Sequence, residues 1–149
     1  MSCGLRVAGC ALRVSSLNTG FGVWIVKPPK SYKDLEIYQL SYKLAVGLHE
    51  LSLRLPRFEI YEEGNQIRRA SKGITACIVE GYGRRRYKAD FLKFLVYAHA
   101  SCNETLLHLD FIKDTHKEYT EELEVFLQKY DELGRKINRF IQYVERNWR

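Results

Sequence analysis

Seven successive steps of 4, 3, 4, 3, 4, 3 and 4 residues separate Leu123, Leu127, Tyr130, Gly134, Ile137, Ile141, Val144 and Trp148. An apolar stripe of that period exists only on a helix, and it has to be buried against something. The same signature recurs upstream. Ile37, Leu40, Leu44, Leu48, Leu51 and Leu55 form one stripe, widened by Leu35, Tyr38, Tyr42 and Ala45 and ended by Pro56. A second segment steps Ile60, Gly64, Ile67, Ser71, Ile74, Ile78 beside a row of small residues, Ala70, Gly73, Cys77 and Gly81, with Gly81-Tyr82-Gly83 read as its stop. A third runs from about Lys88 through Phe91, Leu95, Ala98, Cys102, Leu106 and Leu109 to Ile112. Asp34 is the expected start of the first helix and Thr120 the N-cap of the fourth, with Thr115-His116-Lys117-Glu118 as a competing capping box. Four long amphipathic helices with short connections predict an all-α, up-and-down antiparallel four-helix bundle.

Several of these helices are apolar over more than one stripe, as Phe126, Leu133 and Phe140 show beside the main seam of the fourth. The surplus favours self-association over a merely wide core stripe. The bundle is expected over residues 32–149 and a poorly structured N-terminal extension over residues 1–31. That extension has no sustained period and ends in Lys27-Pro28-Pro29-Lys30, a boundary no helix crosses. Phe21–Val26 could form one short strand. The Arg- and Ser-containing, acid-free run superficially resembles a transit peptide, and Val7-Ala8-Gly9-Cys10 a lipoprotein box that lacks its apolar h-region. No apolar run approaches the roughly 20 residues of a membrane helix.

The formal charge of +6 is unevenly placed. Residues 1–33 carry Arg6, Arg13, Lys27, Lys30 and Lys33 and no acid, which leaves 19 basic and 18 acidic groups in 34–149. Within that body, residues 54–93 hold ten basic and five acidic groups between flanks of net −2. Local density counts here, because charges more than about 10 Å apart are screened from one another. The candidate nucleic-acid contacts are therefore Arg68, Arg69 and Lys72 on the second helix and Arg84, Arg85, Arg86 and Lys88 after it. Arginines among aromatic neighbours suit phosphate contact and stacking on unpaired bases. The competing reading is a solvated loop whose cations answer the helix dipole.

No catalytic constellation emerges, and no metal or cofactor is expected. The histidines 49, 99, 108 and 116 make no HExxH, and neither His99 with Cys102 nor Glu104 with His108 has two further ligands at suitable spacing. Cys77 and Cys102 read as inert core thiols, and Glu80 as a buried acceptor for Arg or backbone N–H groups. Gly81-x-Gly83 lacks a third glycine and follows a helix, so it is no dinucleotide fingerprint. No small-molecule substrate suggests itself.

Tyr32-Lys33-Asp34-Leu35-Glu36-Ile37-Tyr38, Gln66-Ile67-Arg68-Arg69-Ala70, Ile78-Val79-Glu80-Gly81-Tyr82-Gly83-Arg84, Phe91-Leu92-Lys93-Phe94-Leu95 and Glu104-Thr105-Leu106 together resemble the bacterial 23S rRNA intervening-sequence protein family. The likeness covers about residues 32–145. It departs at Tyr38, where the family usually has Trp, and near Ile74-Thr75, where it usually has Pro. The resemblance implies a cytoplasmic four-helix bundle assembled as a ring-like homo-oligomer, commonly a pentamer, with no assigned catalytic residues. A related branch, the accessory variability protein of diversity-generating retroelements, is similar in fold and binds nucleic acid through a basic surface. Carried over, that binding falls on Arg68, Arg69, Arg84, Arg85, Arg86 and Lys88. Two functions stand against each other at this stage. One is a non-enzymatic oligomer binding structured RNA or DNA; the other is a purely structural adaptor in which Arg68 and Arg69 pair with Glu62, Glu63 or Glu80 across subunits.

Overall fold

The computed structural model describes residues 29–148, so the expectations about the extension that fall on residues 1–28, its strand and its sorting signals, lie outside the described residues. Four long helices make the bundle: α1 (Glu36–Ser52), α3 (Glu63–Gly83), α4 (Lys88–Thr115) and α5 (Thr120–Asn147), with a five-residue helix α2 (Arg57–Tyr61) between the first two. Each long helix packs on its sequence neighbours, and α5 closes the ring against α1. The cross-helix pairs descend on one side as they ascend on the other. Ser52 and Ser41 meet Arg68 and Thr75, and Glu36 and Arg54 meet Lys136 and Glu122. All four neighbours are therefore antiparallel, and the up-and-down bundle read from the sequence is the fold.

The stripes meet on the axis. Leu48, Leu51, Ile67, Ile74, Ile78, Phe91, Leu95, Leu109, Leu123, Leu133 and Ile137 are fully buried. Each contributes about 1.5–3 kcal/mol relative to leaving it in water. At one end Phe91 meets Trp148, Phe140 and Tyr82 edge-on at 5.1, 6.0 and 6.5 Å, an arrangement that suits the ring quadrupoles. On α5 the second stripe also serves the core: Leu133 is buried, and Phe126 and Phe140 pack against it.

Helix ends depart from expectation in three places. The chain starts with a 3-10 turn over Tyr32–Asp34, held by a capping box between Ser31 and Asp34, before α1 begins at Glu36. Glu62, at φ −90° and ψ −105°, breaks the second segment, so Ile60 belongs to α2. α3 ends at Gly83, within the expected Gly81-Tyr82-Gly83 stop. A Cβ at Gly81 would stand 2.9 Å from the Phe94 Cβ, so this glycine lets α4 approach. Neither the Thr120 N-cap nor the competing Thr115 capping box forms before α5. Thr115 ends α4, with its hydroxyl donating to the Phe111 carbonyl, and Thr120 is already helical, with no side-chain cap preceding it.

Candidate nucleic-acid interface

Seven cations define the candidate surface, and the fold treats them differently. Arg68 faces the elbow between α1 and α3. Its guanidinium donates to the Ser52 Oγ at 3.0 Å and the Ile60 carbonyl at 2.8 Å, stitching the end of α1 and α2 onto α3. Lys88 is half-buried and donates to the Glu145 carbonyl at 2.7 Å, near the C-terminal end of α5 where the helix dipole favours a cation. These two are fastened inside their own chain. Arg69, Lys72, Arg84, Arg85 and Arg86 are exposed.

The exit loop of α3 is braced from below. Arg84 pairs with Glu80 at 3.1 Å and lies over the Phe94 ring at 5.1 Å. Arg85 lies over the Tyr82 ring at 4.1 Å and donates to the Tyr82 carbonyl. The Trp148 indole N–H donates to the Arg85 carbonyl at 3.0 Å, and the Tyr82 hydroxyl to the Pro29 carbonyl at 2.5 Å. Stacking fixes the guanidinium planes while their outer edges stay in solvent, the geometry phosphate recognition uses. Glu80 is an exposed partner of Arg84, not the buried acceptor expected.

The cations do not form one patch. Arg69 and Arg84 are fifteen residues apart on one axis, about 22 Å at 1.5 Å per residue. Between them an open groove of about 660 Å³ separates α1 from α3, lined by Tyr32, Tyr38, Tyr42, His49, Lys72 and Glu80. Tyr42, read from the sequence as a core position, is 56% exposed there. Tyr38 and Tyr42 escaped sequence reasoning because their spacing merely widened an apolar stripe, and His49 because its spacing was weighed only for a metal.

Charge also separates along the bundle. Residues 54–63 and 110–124, at the end holding α2 and the α4–α5 turn, carry four basic and nine acidic side chains. Residues 29–36, 80–93 and 139–148, at the end holding the exit loop, carry nine basic and five acidic.

Among the described residues no group of three or more His, Cys, Asp and Glu could hold a metal ion. His108 accepts or donates a 2.7 Å bond with Glu63, and His116 lies 3.8 Å from Glu59. Cys102 is fully buried with its Sγ 3.2 Å from the Tyr130 carbonyl, and burial pushes its thiol pKa up to about 12. Cys77 is only partly buried, and its pKa is raised by burial and by the Glu80 charge. Neither thiol is set up as a nucleophile, which needs a lowered pKa. Among the described residues no helix is long and apolar enough to cross a membrane.

Fold and surface together define an all-α helical bundle with a basic exit loop and an aromatic groove. The family model described as 23S rRNA-intervening sequence protein matches residues 33–139, and the chain belongs to that family. A solved structure with the same fold is a protein with unknown function from the S23 ribosomal protein family of Bacteroides thetaiotaomicron. It is 24% identical, with a TM-score of 0.65 over 71% of this chain and 95% of the other. No curated protein matches the chain.

Proposed function

We propose that this chain is a non-enzymatic, homo-oligomeric helical bundle that binds RNA or DNA through α3 and its exit loop. The observation that carries the reading is five exposed cations on one helix and its exit, Arg69, Lys72, Arg84, Arg85 and Arg86, on a body of net charge +1. The charge is concentrated locally, as phosphate contact requires. Arg68 and Lys88 serve the fold in this reading and leave the contact set. Affinity for nucleic acid is expected to fall linearly with log salt, by about 0.7–0.9 log units per phosphate contact. Replacing Arg84, Arg85 and Arg86 by Ala should weaken binding and flatten that slope by about two to three. Binding indifferent to salt and to the triple substitution would remove the proposal.

A second reading, assembly without nucleic acid, is favoured by the outer face of α4. Val96, Leu107 and Phe111, opposite the core, are each about half exposed. An apolar stripe on both sides of one helix is the pattern of a helix buried on both sides. In this reading Arg69, which is exposed, is the arginine available for a cross-subunit pair, while Arg68 is bonded to Ser52 and Ile60 within its own chain.

A further inference from the structure

The groove between α1 and α3 is lined by Lys72 and by Glu80, the partner of Arg84, and its lining has the chemistry of a base-stacking platform. Tyr32 and Tyr38 meet edge-on at 5.0 Å, and Tyr38 and Tyr42 lie stacked at 6.0 Å and 29°. This ladder ends in the exposed Tyr42 ring. Along the same groove the Lys72 ammonium donates to the His49 Nδ1 at 3.3 Å. That bond requires a lone pair on Nδ1, so the proton of the neutral ring is on Nε2, a second donor for an anionic oxygen. Lys72 has no carboxylate within ion-pair distance among the described residues, whereas Glu80, the one acid lining the groove, is paired with Arg84. The uncompensated charge of the groove is positive.

Resting on the nucleic-acid reading above, we infer that this groove binds the unpaired bases of a single-stranded segment. Tyr42 and Tyr38 stack the bases, while Lys72 and the His49 Nε2–H hold phosphate, and the chain runs from Arg69 toward Arg84. The span of about 22 Å is that of roughly six stacked nucleotides. A duplex does not suit the site. Packed helix axes lie only about 8–10 Å apart, and paired bases keep their faces covered. Small residues in the groove, Ala45, Thr75 and Ala76, leave room for a flat ring. An apolar helix of a second copy suits it less, because it would bury the Lys72 ammonium without a counter-charge.

The test is fluorescence anisotropy of the full chain with a labelled oligouridylate and with a duplex of equal length, alongside particle mass by light scattering. The single strand is expected to bind more tightly than the duplex. Tyr42→Ala should weaken single-strand binding roughly tenfold, Tyr42→Phe should keep it, and Lys72→Gln should lower both affinity and salt slope. If Tyr42→Ala and Lys72→Gln leave binding unchanged while the Arg84–Arg86 triple variant loses it, the groove inference is wrong and the broader reading survives. If the unsubstituted chain binds neither oligonucleotide, both fail. A fall in particle mass with Tyr42→Ala, at unchanged affinity, would assign the groove to a contact between copies and overturn the inference.

Discussion

The Arg68 guanidinium sits where α1, α2 and α3 converge, and its two bonds satisfy a hydroxyl and a carbonyl at the end of helical segments. Removing a charged donor from partly buried acceptors leaves them unpaired, which costs about 2–3 kcal/mol. Arg68→Ala is therefore expected to lower unfolding stability in urea by that amount. Arg69→Ala, one residue on and exposed, should stay within about 0.5 kcal/mol of the parent. Equal effects at the two positions would contradict the structural role given to Arg68. In the sequence the two arginines are indistinguishable. A rotation of 100° about α3 separates a tie inside the elbow from a free surface cation, and the direction of the elbow depends on where α2 turns. Tyr130 marks the same limit. Its hydroxyl is fully buried with no hydrogen-bond partner among the described residues, although its spacing shows only that it faces inward.

Glycines on α3 show how a helix is tuned by what lies beside it. Gly81 faces α4, where an added methyl would meet the Phe94 Cβ at 2.9 Å and the Phe91 ring at 3.3 Å; a methyl at Gly83 would meet nothing within 4 Å among the described residues. Alanine improves helix propensity at either position by up to about 1 kcal/mol. Overpacking reverses the gain at Gly81, at about 1–3 kcal/mol. Gly81→Ala should thus destabilise by about 1–2 kcal/mol, and Gly83→Ala should stabilise by about 0.5 kcal/mol, both read from thermal melts. Matching shifts would mean that α4 can yield at this crossing. All four long helices were legible because a 3.6-residue period is a property of the backbone itself. Their ends were not, because tertiary contacts set them: Glu62 bends where Arg68 and Ile60 meet, and Trp148 leaves α5 to seal the aromatic end under the exit loop.

At the scale of the whole molecule, the bundle buries its core stripes and, among the described residues, leaves the outer face of α4 apolar and exposed. On that account, Leu107→Glu combined with Phe111→Glu should preserve the helical far-UV signal and lower particle mass in light scattering. An unchanged mass would take assembly away from this face of α4. The local excess of charge in residues 54–93 was visible in the sequence. Its division into a braced loop and a distant pair was not, since counting along the chain ignores the length of α3. The separation of charge between the two ends has a kinetic consequence as well. Among the described residues the two ends carry net charges of −5 and +4, an electric dipole on which a nearby polyanion exerts a torque. The protein would turn its exit loop forward before touching anything. At low ionic strength its association rate, more than its final affinity, is where that built-in orientation would be felt.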